Sequence, residues 1–323
     1  MKFERHLLLT LREELSKPTP VIHVLIGPRQ VGKTTIALQI QESVKIPTIY
    51  ATADSPVPLD SSWIETHWKR AVTESNASKS PVILILDELQ KVKGWSETLK
   101  ILWDSRLGGP EIRVLILGSS SLLMQEGLTE SLAGRFFLHR CSHWSYSECK
   151  AAFGWNLEQW IFFGGYPGAA SFINNEVSWK RYITDSLIET VLARDVLQMS
   201  KIAKPVLLRH LFALSATLPA QFVSYTKMLG QLHDAGNTTT LAHYLKLLES
   251  AFTYWREGNY EVDYVVARGA DIRAIEVKSG AGKKLSGLAR FQSRYPEAKS
   301  LIIGGPGIPL EEFFSTEPKH WLQ

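Results

Sequence analysis

Cysteine is scarce. Cys141 and Cys149 are the two in 323 residues, and their spacing makes no Cys-x-x-Cys pair. That removes cysteine-based zinc and dithiol redox motifs from consideration, and both residues are expected simply to pack. Long apolar runs are also missing, since none approaches the roughly 20 residues that a membrane-spanning helix needs. The opening Met1-Lys2-Phe3-Glu4-Arg5-His6 lacks the charged, apolar and cleavage regions of a secretory signal. These absences predict a cytoplasmic protein with no membrane partner. Nor does one sign of charge dominate. A net charge of +4 permits a nucleic-acid partner without arguing for one. What remains, 45% hydrophobic and 21% charged, is the make-up of a globular chain long enough for two or three domains.

The most informative stretch present is Gly27-Pro28-Arg29-Gln30-Val31-Gly32-Lys33-Thr34-Thr35. It matches the phosphate-loop pattern G-x-x-x-x-G-K-[ST] at every fixed position. The context agrees, because residues 21–26 read as a buried strand and residues 36–40 as a helix. Glycines allow successive main-chain N–H groups to turn inward around a polyphosphate, and the helix that starts at the loop adds its positive end. Lys33 is expected to reach the β- and γ-phosphates of ATP, with the Thr34 hydroxyl on Mg²⁺.

Residues 81–88, Pro-Val-Ile-Leu-Ile-Leu-Asp-Glu, form the complementary stretch. An unbroken apolar run is what a central parallel strand looks like when both faces are covered. Its terminal carboxylates fall where ligands bind in open α/β sheets. In this Walker B pattern Asp87 is expected to hold Mg²⁺ through water and Glu88 to polarise the attacking water. Another apolar strand, starting at Arg113, ends in Gly118-Ser119-Ser120-Ser121. Ser119 or Ser120 is a candidate sensor of the γ-phosphate or the water, against the simpler reading of a helix cap. Arg135, following Gly134 ahead of a strand over 136–139, is expected near the nucleotide edge of the sheet as a candidate arginine finger, with a surface salt bridge as the alternative.

Around these motifs, Phe3, Leu7, Leu8, Leu11 and Leu15 fall at helical spacing, a strand is expected over 47–52, and helices over 62–75 and 95–105. From residue 142 to 235 the periodicity turns helical and aromatics cluster. Gly164-Gly165-Tyr166-Pro167-Gly168 reads as a turn between helices. A long helix over 179–198 carries Glu189, Arg194 and Asp195, expected as structural ion pairs. Residues 227–248 suit a helix-turn-helix, a motif that sometimes contacts DNA and more often only packs.

Residues 261–267 and 272–278 then read as a hairpin. With Gly269-Ala270 as its loop, the register sets Asp263 opposite Glu276 and Glu261 opposite Lys278, on one face. Two carboxylates and a lysine so placed are the Asp…Glu-x-Lys arrangement of Mg²⁺-dependent nucleases, in which Asp263 and Glu276 hold the cation and Lys278 assists. Simple neutralisation of an exposed face is the alternative. A basic helix over 283–295 and a strand over 300–303 follow.

Taken together, the chain resembles the prokaryotic AAA-type ATPases that carry a C-terminal domain of unknown function, DUF4143. The resemblance rests on residues 27–35, Leu86-Asp87-Glu88-Leu89-Gln90-Lys91-Val92, Gly94-Trp95, Gly118-Ser119-Ser120, Ser131-Leu132-Ala133-Gly134-Arg135, Gly164-Gly165-Tyr166-Pro167, Arg194-Asp195, Glu261-Val262-Asp263 and Glu276-Val277-Lys278-Ser279-Gly280. It implies ATP binding, hydrolysis and a C-terminal half similar to restriction-endonuclease-like folds. The sequence departs from that family after Phe252, where several dozen residues, including the helix that begins the nuclease-like fold, usually follow. Here Thr253-Tyr254-Trp255-Arg256 comes at once. The expected fold is α/β in three parts: a P-loop NTPase parallel sheet of AAA type over 1–141, a helical, winged-helix-like region over 142–252, and a truncated nuclease-like unit over 253–323. The expected function is Mg²⁺-dependent ATP binding with slow hydrolysis coupled to movement of the helical lid. An ATP-responsive switch that engages DNA or protein, and an ATP-gated nuclease, are the alternatives. A homo-oligomer is compatible with all three.

Overall fold

Between residues 22 and 140 apolar runs of strand length alternate with amphipathic stretches of helical length, and each folds as its period dictates. The computed structural model describes residues 3–18, 20–106, 108–119, 131–190, 204–216, 225–230, 232, 238–241, 253–257, 260–268, 271–278 and 286–321. The chain divides into two compact units, Met1–Asp195 and Val196–Gln323. That division falls inside the segment 142–252.

The first unit opens with helix α1 (His6–Leu15) and strand β1 (Ile22–Gly27). Helix α2 (Lys33–Ser43), β2 (Thr48–Thr52), α3 (Ser61–Ser78), β3 (Val82–Asp87), α4 (Trp95–Ser105), β4 (Ile112–Ser119) and β5 (Phe136–Arg140) follow. The five strands make one sheet in the order β2-β3-β4-β1-β5, and every neighbouring pair is parallel. This is an α/β fold of the P-loop kind. β1 and β3 are buried at all positions, which explains why neither sequence alternates.

Each face of the sheet carries its own core. On one side Ile64, Trp68, Trp95, Leu99 and Trp103 from α3 and α4 meet Val24, Leu84 and Ile116. On the other, Leu8, Leu11 and Leu15 of α1 and Ile36 and Ile40 of α2 meet Leu25, Ile85 and Leu117. The three α1 leucines are fully buried, worth about 1.5–3 kcal/mol each relative to exposure. Parallel pairing brings the carboxyl ends of β1, β4 and β3 to one edge, with Gly27 beside Ser119.

Beyond β5, helices α5 (Tyr146–Phe153) and α6 (Leu157–Phe163) each begin with a capping box, Ser145 with Glu148 and Asn156 with Gln159. A 3₁₀ turn (Pro167–Phe172) leads to α7 (Glu176–Arg181), which runs on into a π-helix (Tyr182–Ile188). Helix is described as far as residue 190; Arg194 and Asp195 lie outside the described residues. The aromatics expected to cluster do so, with Trp155, Trp160, Phe163, Tyr166, Trp179 and Tyr182 packed around Cys149 and Ala169. A Cβ at Gly168 would lie 2.1 Å from the Tyr182 hydroxyl, so the tyrosine would have to shift to admit one. Both cysteines are free and buried, and burial pushes both thiols up, Cys149 to about 12.

In the second unit, helices α8 (Pro205–Ala216) and α9 (Tyr225–Leu229) precede a four-stranded sheet. Its order is β6 (Thr253–Glu257), β7 (Tyr260–Arg268), β8 (Asp271–Val277) and β9 (Lys299–Ile303). β7 and β8 pair in the expected register, Tyr264 with Ile275 and Arg268 with Asp271. β9 lies parallel to β8, and the intervening helix α10 (Ser286–Arg294) packs Leu288 and Phe291 on Ala274. β6 is an addition to the expected hairpin. Two short helices, α11 (Leu310–Ser315) and α12 (Pro318–Trp321), complete the described chain. Most of the expected helix-turn-helix lies outside the described residues. Among the described residues no helix is long and apolar enough to cross a membrane.

Candidate nucleotide-binding site

The site is assembled where β1, β3 and β4 end. β1 stops at Gly27, the chain turns, and α2 starts at Lys33 behind Gly32, whose φ of 97° is left-handed and suits glycine. The Lys33 side chain is buried, and its ammonium donates to the carbonyls of Gly27 (2.8 Å) and Pro28 (2.6 Å). The cation is thereby held inside the turn of its own loop. Burial pulls the Lys33 ammonium below its ordinary value, while Glu88, Cys141 and Asp87 act in the opposite direction.

The Thr34 hydroxyl donates to Asp87 Oδ2 at 2.7 Å. Asp87 is buried, and its other oxygen, Oδ1, accepts from the Glu88 main-chain N–H at 2.8 Å. A hydroxyl and a carboxylate oxygen so close together, from two different elements, are hard oxygen donors of the type Mg²⁺ takes. Glu88 sits at φ 55°, left-handed and unusual for a non-glycine, as does Gln30 at φ 60°. Two of the three such residues among the described ones therefore flank this site, where backbone strain tends to collect. Gln90 Nε2 donates to the Glu88 carboxylate at 2.9 Å.

Several residues around the loop escaped sequence reasoning. Tyr50 donates its hydroxyl to Asp87 Oδ2 at 2.9 Å; burial, then the Asp87 charge, raise its pKa. Only the adjacency of β2 to β3 brings it there. The Val31 carbonyl accepts from Trp144 Nε1 (3.0 Å) and Arg5 Nη1 (3.3 Å). Arg5 is buried and also clamps Glu148 through Nε (2.7 Å) and Nη2 (2.9 Å). Tyr182 of the π-helix donates to Gln30 Oε1 at 2.6 Å, and Gln30 Nε2 donates to the Ser186 carbonyl at 3.4 Å. The phosphate loop is thus tied to the N-terminal segment and to the helices after β5.

Arg135 requires a correction. It was expected near the nucleotide edge, but its carbonyl accepts from Ile22 N (2.7 Å), where β1 begins. Five residue steps of β1 put that edge about 17 Å from Gly27. Arg135 precedes β5, and in a parallel sheet a residue ahead of a strand lies at the edge opposite the carboxyl ends. Its guanidinium is bidentate on Asp104, at 2.7 and 3.0 Å, the surface pair that was the alternative. Ser119 is on the correct edge by register, while its side chain and Ser120 lie outside the described residues.

In the second unit Glu276 is buried and ion-paired with Lys278 on the same strand face, and its Oε2 has no hydrogen-bond partner among the described residues. The buried carboxylate differs from the expected alternative of an exposed, neutralised face. Asp263 lies on β7 one step beyond the Tyr264–Ile275 pair; its side chain lies outside the described residues.

Comparison with known proteins agrees with the geometry. Residues 19–150 match the AAA domain of the AAA_14 family, residues 154–263 a domain of unknown function, DUF8612, and residues 238–307 a domain of unknown function, DUF4143. An uncharacterized protein of Haemophilus influenzae is 22% identical over 269 residues, covering 76% of this chain and 64% of that protein. The chain therefore spans less than two thirds of that relative's length. An AAA domain implies nucleotide binding, in keeping with the loop that ends β1. The order of the matched segments and the strand order around Gly27 describe one architecture, an AAA-type domain with a C-terminal DUF4143 domain.

Proposed function

We propose that the chain binds ATP with Mg²⁺ at residues 27–35 and hydrolyses it slowly, the nucleotide state being relayed to the helices after β5. The observation that carries this reading is the meeting of the Thr34 hydroxyl with Asp87 at 2.7 Å beside Lys33 and Glu88. Main-chain N–H groups of the loop and the start of α2 cradle the phosphates. Lys33 leaves its carbonyl partners to neutralise β- and γ-phosphate charge. Glu88 orients and polarises the attacking water, and Ser119, at the end of β4, contacts that water or the γ-phosphate. When bound, Mg²⁺ supplies charge neutralisation at the phosphate oxygens, held by Thr34 and, through water, by Asp87. Relay to the helices follows from Gln30 and Val31, whose partners Tyr182 and Trp144 belong to that segment.

Phosphate release and calorimetry test this reading. Glu88→Gln should bind ATP with little change yet release phosphate roughly 10²-fold or more slowly, the usual scale for losing a positioned base. Lys33→Ala should lose binding. Equal release by wild type and Glu88→Gln would remove Glu88 from the mechanism, and unchanged affinity in Lys33→Ala would overturn the loop assignment.

A second reading is favoured by the buried Glu276–Lys278 pair: the four-stranded sheet is a restriction-endonuclease-like unit that cuts DNA with a divalent cation. Supercoiled plasmid incubated with Mg²⁺ and ATP should then be nicked by wild type and left intact by Glu276→Ala. No cleavage with either Mg²⁺ or Mn²⁺ would dismiss it, and turnover that rises on adding DNA would favour a DNA-responsive ATPase instead.

A further inference from the structure

At the edge of the parallel sheet, on the face covered by α1, three side chains from three elements meet. Glu14 comes from the last turn of α1, His23 from the start of β1, and His139 from β5. His139 pairs with Leu25, so it shares a face with His23, two residues earlier on β1. His23 Nδ1 lies 3.0 Å from His139 Nε2. Glu14 Oε2 lies 3.3 Å from the first nitrogen and 3.2 Å from the second.

Hydrogen bonding satisfies only part of this triangle, since a ring nitrogen cannot both donate and accept. An N–H···N bond between the two histidines serves one edge and leaves Glu14 Oε2 facing the lone pair of the accepting nitrogen. Glu14 Oε2 is in fact buried and makes no hydrogen bond among the described residues. Both histidines are buried, at 2% and 5% exposure, so water does not relieve the conflict.

A cation at the centre does. Ligand atoms bound at about 2.0–2.1 Å around a tetrahedral ion stand about 3.3 Å apart. The observed edges of 3.0, 3.2 and 3.3 Å put each atom about 1.8 Å from the centre of the triangle. An ion about 1 Å out of that plane would therefore reach all three at normal bond lengths. Two imidazoles and one carboxylate suit zinc-class ions, and disfavour Mg²⁺ and Ca²⁺, which take oxygen.

We propose that Glu14, His23 and His139 bind one zinc-class divalent ion, with water as the fourth ligand. The Glu14 side chain, one-third exposed, marks the way in. The ion cross-links α1 to β1 and β5, near the end of β1 opposite the phosphate loop, and so fastens the helix that brings Leu8, Leu11 and Leu15 to one core. It is independent of nucleotide.

Equilibrium dialysis of the metal-stripped full chain against micromolar Zn²⁺, with elemental analysis, tests the site. Wild type and Asp87→Asn should each take up one ion per chain. Glu14→Gln and His139→Gln, checked for folding by circular dichroism, should take up none or bind at least tenfold more weakly. Zero uptake by wild type, or equal uptake by the folded variants, would overturn the proposal. If the variants do not fold, Co²⁺-loaded wild type decides: intense four-coordinate visible bands uphold the site, and the weak spectrum of six-coordinate Co²⁺ rejects it.

Discussion

Arg5 illustrates how one side chain links sequence-distant parts of the site. It lies ahead of α1, yet its guanidinium reaches the phosphate-loop carbonyl of Val31, the Cys141 sulfur, the Ser142 carbonyl and both oxygens of Glu148. Burial pushes the Glu148 carboxyl up, but hydrogen bonds from Arg5 and the Ser145 main chain outweigh it and hold the group below its ordinary value. A depressed carboxyl contributes stability that is present above the unfolded value, 4.5, and is lost as pH falls through the folded value. Removing one partner strands the other's charge, at a cost of about 3–5 kcal/mol for a buried pair. Urea unfolding of wild type and Glu148→Gln should therefore show a gap that is widest near neutral pH and narrows as pH drops below about 4.5. A gap constant down to about pH 3 would mean that the carboxylate charge contributes nothing. Glu148 was visible in the sequence only as a residue in a helix, and Arg5 only as a polar position near one.

At the scale of elements, what could be read and what could not divide along one line. β1, β3 and β4 are continuous apolar runs, and such runs declare buried parallel strands without reference to anything distant. The phosphate loop was legible because its glycines, Lys33 and Thr34 act through local geometry. The expected helix over 95–105 is the observed Trp95–Ser105. Partners that depend on strand order were not legible: Tyr50 meets Asp87 because β2 lies beside β3, and no local pattern in Thr48–Thr52 announces it. The three ties on the loop, from Arg5, Trp144 and Tyr182, come from elements 26 to 152 residues away. Arg135 was misplaced for a related reason, since a residue before a strand and one after it look alike in sequence but lie at opposite edges of the sheet. β6 was missed although Thr253, Tyr254 and Trp255 favour strands, because five residues are too short a run to show a clear period.

For the whole molecule, the division at Asp195 separates two kinds of legibility and yields a prediction. Among the described residues, the contacts of Tyr50, Trp144, Tyr182 and Glu148 that shape the nucleotide site all fall within Met1–Asp195. Both faces of the parallel sheet are covered by helices of that unit, α1 and α2 on one side and α3 and α4 on the other. A chain of that length that closes its own core has the anatomy of an independent domain. The fragment ending at Asp195 should therefore fold cooperatively by circular dichroism and bind ATP within about threefold of the full chain, a difference of roughly 0.7 kcal/mol. Affinity is the quantity to compare, because binding draws on the loop and on its ties to Arg5, Trp144 and Tyr182, all of which the fragment retains. A folded fragment whose affinity fell more than tenfold would place essential contacts in Val196–Gln323, and the loop ties described above would then be an incomplete account of how this site is held.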